Sequence, residues 1–174
     1  MSVSNQVLKP GRLEKIKSEF IIPSGYKVAE EDMQRPWGGF WRISSDQAEQ
    51  FVDQFFPNLT AEELGKYGTE LSPKILAVEP GQQLSLQYHR RRAEIWRVIA
   101  GPVLVALSNK RHQGLWVAYE AGQQLEIPPL TTHRLSAPEA GEWGIIAEVW
   151  QHTDSRDPSD EADITRIADD YDRQ

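Results

Sequence analysis

Ser85–Trp96 reads SLQYHRRRAEIW. An alternating apolar run meets a histidine, three arginines follow, and a glutamate then leads back into apolar residues. Side chains in a strand alternate faces, so Ser85, Gln87 and His89 share one face while Leu84, Leu86 and Tyr88 take the other. With the arginines as the turn, the returning strand places Glu94, Trp96 and Val98 together. Gln87, His89 and Glu94 then converge on one point. His133, just after IPPLTT at the start of another strand, is available as a fourth residue.

Two imidazoles, a carboxylate and an amide oxygen suit a borderline divalent ion: zinc first, with manganese, iron(II) or nickel as alternatives. Water or substrate oxygens would complete the shell, the opening a catalytic metal needs. A carboxylate between Ala93 and Ile95 costs on the order of several kcal/mol in a core unless it is paired or coordinated. Pairing of Glu94 with Arg92 or Arg97 is the competing reading, and a strand histidine is more often hydrogen-bonded than ligating. The residues alone leave both open.

Outward from this stretch the chain divides. Residues 1–30, broken by Pro10, Gly11, Pro23 and Gly25, read as an N-terminal arm with one short helix around Leu13–Phe20. A helical insert is predicted at about 45–66. Ser44 and Gln47 have capping-box spacing before a stripe of Phe51, Val52, Phe55 and Phe56, and Thr60 and Glu63 repeat the spacing before Gly65. From Ser72 the texture is short runs rich in Val, Ile, Leu, Trp and Tyr. Pro80-Gly81, Gly101-Pro102, the polar SNKRHQG and Gly122 separate several of them, which predicts an all-β sandwich or barrel over 31–174. The acidic stretch from Thr153 reads mostly as solvated loop. His112 and His152 are expected at the surface.

The 174 residues suffice for one domain with a core. A net charge of −7 argues against nucleic acid and anionic membrane as partners, since both reward basic surfaces. The absence of cysteine excludes disulfides, thiolate ligands and cysteine nucleophiles. The N-terminus lacks the apolar run of a signal peptide, which makes a cytoplasmic location the expectation.

Gly81, Gln87, His89, Glu94 and Gly101 have the spacing of the first cupin motif, with Gln87 where most cupins have a histidine. Gly122, Pro128 and His133 resemble the second. RPWGG at Arg35–Gly39, LSLQYHRRRAEIW at Leu84–Trp96, HRL at His133–Leu135 and DDYDR at Asp169–Arg173 resemble the C-terminal barrel of type II mannose-6-phosphate isomerases. Stand-alone phosphoheptose isomerase-like cupins are similar too, sharing the helical insert and the EIWQHTD-type ending. The resemblance runs over about residues 28–173. It implies a single cupin-type (double-stranded β-helix, jelly-roll) barrel with Gln87, His89, Glu94 and His133 as metal ligands. Departures are Arg90-Arg91 in a turn that is usually His-rich, Leu130 for a usual Gly, Ala137 for a common Asn, and Asp172 for the closing Gly. The nucleotidyltransferase domain that often precedes this barrel is missing, so sugar-nucleotide synthesis is not expected.

By that resemblance the chain is a metal-dependent isomerase converting an aldose phosphate to a ketose phosphate. Such chemistry needs a base apart from the metal ligands. Glu148, in the apolar strand IIAEVWQ, is the first candidate and Lys74 the second; a salt bridge between them, or an outward position, is the competing reading. Arginine's planar fork suits phosphate, with Arg134 and Arg92 ahead of Arg35 and Arg90; a solvated charged turn is the alternative for Arg90–Arg92. The same ligands would also serve an iron(II) oxygenase, or a non-catalytic sugar-binding cupin. An arm plus an open barrel makes a homodimer the expected assembly.

Overall fold

The computed structural model describes residues 9–66 and 70–171; Asp172 and Arg173 of the DDYDR motif lie outside them. Helix α1 (Lys9–Phe20) precedes strands β1 (Val28–Arg35) and β2 (Gly38–Ile43). Helices α2 (Ala48–Phe55) and α3 (Ala61–Leu64) follow, then β3 (Leu71–Val78), β4 (Leu86–Tyr88), β5 (Arg92–Ala100) and β6 (Val103–Ser108). The chain continues through β7 (Trp116–Tyr119), β8 (Gln124–Ile127), β9 (Thr132–Ser136), β10 (Gly144–His152) and β11 (Thr165–Ala168).

The strands form two antiparallel sheets. One has the order β1-β2-β3-β10-β5-β8, the other β11-β4-β9-β6-β7. β10 is buried at all nine positions because both of its faces are covered. Ile145, Ala147 and Val149 pack outward with Leu13, Ile16, Phe51, Val52 and Phe55 of the helices. Ile146 packs inward with Leu76, Trp96 and Val98, against Val103, Val105 and Leu135 of the other sheet. Period-2 alternation thus builds two apolar layers, and the inner one continues into the polar site at the end of the barrel.

The region expected as an arm is, over its described part, a packed element. Leu13 and Ile16 of α1 are fully buried on the sheet's outer face. The glycines of RPWGG have a steric reason: any Cβ at Gly38 would run into the Ala77 carbonyl across the β2–β3 pairing. The capping box at Thr60 forms, with Glu63 N donating to Thr60 Oγ1 (3.2 Å) and Thr60 N to Glu63 Oε2 (2.7 Å). The one expected at Ser44 does not form. Gln47 instead accepts from Lys27 N (2.6 Å) and donates to the Gly25 carbonyl (3.1 Å), tying the insert to the entry into β1.

Much of the stretch after Thr153 is exposed loop, as its composition suggests, but two buried side chains and a short strand anchor it. Ser159 and Asp163 are buried, and β11 pairs with β4. His152 is buried as well, against the surface position expected of it: it bonds Ser72 Oγ (2.9 Å), and its Nδ1 accepts from Ser159 N (3.0 Å). His112 is exposed. Among the described residues no helix is long and apolar enough to cross a membrane.

Candidate metal centre

His89 directly follows β4, Glu94 lies on β5 and His133 on β9, so the two sheets meet at this point. All three are buried, and their ligand atoms lie within 4.8 Å of one another. His89 Nε2 is 3.2 Å from Glu94 Oε1, and His133 Nε2 is 3.6 Å from Glu94 Oε2. Ligand atoms about 2.1 Å from a common ion stand roughly 3.0–3.4 Å apart in octahedral or tetrahedral geometry. The cluster is close to that spacing already.

Both rings are held from behind. His89 Nδ1 bonds the Asp163 carbonyl (2.6 Å) and His133 Nδ1 the Thr131 carbonyl (2.9 Å). A carbonyl only accepts, so each Nδ1 carries the proton and each Nε2 presents a lone pair to the site. Burial pushes His89 down to about 4 and lowers His133 too, so both rings are neutral at pH 7. Burial pushes the Glu94 carboxyl up, yet the facing imidazoles, which charge only in acid, and the Arg92 guanidinium together bring it well below the usual carboxylate range. With the rings neutral, Arg92 is the full positive charge among these.

Two lone pairs therefore face a carboxylate, and His133 Nε2 is buried with no hydrogen-bond partner. A divalent cation resolves that arrangement, so the residues fit the group. Gln87 is the cross-strand neighbour of His133, and its Nε2 lies 3.4 Å from His89 Nε2 while its Oε1 accepts from Ser85 Oγ (2.6 Å). Turning the amide over brings its oxygen to the centre.

Glu148 shares the inner face of β10 and is buried beside Glu94. The Trp96 indole N–H reaches both carboxyls, 2.9 Å to Glu148 Oε1 and 3.1 Å to Glu94 Oε2. Burial and the adjacent Glu94 charge push Glu148 up to about 8. Lys74 faces Glu148 in the register, but its Nζ bonds Glu161 (2.8 Å) and lies over the Phe40 and Trp150 rings. The salt bridge weighed between Lys74 and Glu148 is thus made to Glu161.

These groups line one cleft with an inner free volume of about 60 Å³, roughly two waters' worth. Arg35, Lys74, Arg92 and Arg166 contribute four positive charges against Glu94 and Glu161, with Glu148 protonated, leaving a local excess of two on a chain of net charge −7. Of the arginines expected to bind phosphate, Arg35 lines the cleft. Arg134 and Arg90 do not. The alternation that turns His133 inward turns Arg134 away, to the Leu84 carbonyl (2.7 Å) and Asp170 (2.6 Å). Arg90 is exposed over Tyr88. Arg92 lines the cleft, but Glu94, His89, Ser159 and Asp160 already hold it. Arg166, Glu161 and Asp163 were missed. Asp163 accepts from the Arg90 and Arg91 amides (3.1 and 2.9 Å) and so fixes the turn between Gln87–His89 and Glu94.

A two-sheet antiparallel barrel with His, Glu and His gathered at one end defines a cupin. Its fold neighbours agree: oxalate decarboxylase OxdC of Bacillus subtilis superposes with a TM-score of 0.54 at 14% identity, covering 79% of this chain and 30% of that one. CapF superposes with 0.53 at 12%, covering 81% of this chain and 34% of that one. At those identities the likeness shows fold alone. Within the cupins, the chain belongs to the mannose-6-phosphate isomerase C-terminal family, whose sequence profile matches residues 50–169. It is 33% identical over 106 residues to alginate biosynthesis protein AlgA of Pseudomonas aeruginosa, covering 61% of this chain and 20% of AlgA. It is 26% identical over 121 residues to mannose-1-phosphate guanylyltransferase 2 of Escherichia coli O157:H7, covering 67% and 20%. The chain thus spans about a fifth of the length of these curated relatives.

Proposed function

We propose that this chain is a metal-dependent phosphosugar isomerase interconverting an aldose phosphate and its ketose phosphate. The observation that carries the reading is a cationic cleft in which Glu94, the carboxylate of the His89–Glu94–His133 cluster, stands beside a second buried carboxyl, Glu148, held near neutral pKa. Membership of the isomerase C-terminal family supports it.

His89, Glu94, His133 and the turned amide of Gln87 would hold the ion, which supplies a positive charge for the substrate's adjacent carbonyl and hydroxyl oxygens. Glu148, with a pKa of about 8, both takes and returns a proton near neutral pH, as transfer between two neighbouring carbons requires. Trp96 fixes its orientation by donating to Oε1. Arg35, Arg166 and Lys74 hold the phosphate, replacing Arg134 and Arg90 in that role. Lys74, ion-paired and stacked, is a binding cation in this reading rather than a base. The expected homodimer belongs to the same reading and would show twice the 19.8 kDa of one chain in light scattering.

The test is proton NMR in D₂O with a panel of hexose and heptose phosphates on metal-loaded, chelated and His89→Ala protein. Metal-dependent conversion lost in the variant is expected. Metal bound with no turnover anywhere in the panel would sink the isomerase reading and send the protein to an oxygen-uptake screen.

A further inference from the structure

The His89–Glu94–His133 cluster already contains a cation among its own side chains. We propose that Arg92 is its resident counter-ion and that a divalent metal must displace it from His89 to bind. Arg92 Nη2 lies 3.1 Å from His89 Nε2, and Arg92 Nε donates to Glu94 Oε1 (2.8 Å). Since His89 Nδ1 carries the ring proton, Nε2 has one lone pair, and the guanidinium has only donors to offer it. That lone pair cannot serve Arg92 and a metal together.

Gln87 also presents its Nε2 to the same atom, but it yields by turning its amide, which converts it from competitor to ligand, and the Ser85 hydroxyl can donate or accept in either state. Arg92 has no such alternative. It is the surplus group of the cluster, and its positive charge also opposes a divalent ion directly.

The guanidinium nevertheless has somewhere to remain. Its Nη1 donates to Ser159 Oγ (2.9 Å) and the Asp160 carbonyl (3.1 Å), and its Cζ lies 3.5 Å from the centroid of the Trp150 ring. A small rotation can release Nη2 while these contacts hold. The released N–H group then faces the cleft that Arg92 lines, so a donor becomes free there only in the loaded protein. This inference rests on the metal part of the proposed function and is independent of the isomerase chemistry.

The competing role makes the opposite forecast. A partner that merely orients a ligand lowers metal affinity roughly 10–100-fold when removed, whereas removal of a competitor raises it. The experiment is calorimetric titration of zinc alone into wild type, Arg92→Met and Arg92→Lys, each checked for folding by circular dichroism. Arg92→Met is expected to bind zinc at least tenfold more tightly than wild type, with Arg92→Lys between them. Binding by Arg92→Met where wild type shows none is the same result in stronger form. Equal or weaker binding by Arg92→Met overturns the proposal and leaves the metal reading intact; no binding by any of the proteins overturns both. Should the variants not fold, nitrogen NMR of wild type decides. On zinc saturation the Arg92 side-chain signal is expected to shift and its protons to exchange faster, while the His89 Nδ1 proton stays; an Arg92 signal indifferent to zinc contradicts the proposal.

Discussion

Glu148 and Glu94 are two buried carboxyls bridged by one indole N–H, and they ionise in opposite senses. The guanidinium beside Glu94 makes it the anion, so Glu148 keeps its proton. This has a consequence for stability. The unfolded Glu148 loses its proton near the ordinary 4.5, the folded one near 8, so between those values the native state holds the extra proton. Stability therefore falls as pH rises through that window, by at most about 1.4 kcal/mol per unit. His89 runs the other way below about 6.5, its folded value being depressed, so Glu148 is read cleanly only above that. In chelated protein, thermal melts from pH 6.5 to 8 should show a falling Tm for wild type and none for Glu148→Gln. In turnover assays Glu148→Gln should lose at least about 100-fold in kcat, in line with removal of a general acid–base, while zinc affinity is retained. A variant with near-wild-type kcat would remove Glu148 from the chemistry.

At the scale of elements, the turn before β9 carries a strained residue. Leu130 has a φ of +65° and is half exposed, and its N–H donates to the His89 carbonyl (2.7 Å). The left-handed region costs an L-residue about 1–2 kcal/mol, partly offset by the extra freedom glycine has when unfolded. Leu130→Gly should therefore stabilise by about 0.5–1 kcal/mol, seen as a Tm rise of roughly 2 °C, with the bond to His89 kept. Asp163 works the other way. Asp163→Ala removes an acceptor from two backbone amides and from Ser159 Oγ (2.8 Å), so a loss of about 3 kcal/mol is expected by denaturant unfolding, together with weaker zinc binding as the turn loosens.

These two elements also mark how far the sequence could be read. The strands, both histidines of the cluster and Glu94 were legible because period-2 alternation and turn residues are local signals. Arg134 could have been read correctly by the same alternation, since its neighbour His133 faces inward. The acidic segment could not. Asp163 sits 72 positions from the Arg91 amide it fixes, in surroundings with the composition of a solvated loop. Glu161 and Arg166 likewise reach the cleft only because β11 pairs with β4, and no local periodicity announces that pairing.

For the whole molecule, the site joins the sheets. Glu94 comes from the six-stranded sheet, Gln87 and His133 from the five-stranded one, and the segment around Asp163 braces the junction. A metal bound there couples to global stability, by about 2.7 kcal/mol when its concentration is 100 times Kd. Zinc at that excess should raise the Tm by roughly 5–10 °C, and His133→Ala should abolish the rise without changing the fold by circular dichroism. The measurement that reaches the central claim most directly is X-ray absorption at the zinc edge on stoichiometrically loaded wild type and His133→Ala. One ion per chain, with two imidazoles and oxygen donors at about 2.0–2.2 Å and one imidazole lost in the variant, is the expected result. Substoichiometric binding, or a spectrum that the variant leaves unchanged, would contradict the placement of a metal at His89, Glu94 and His133.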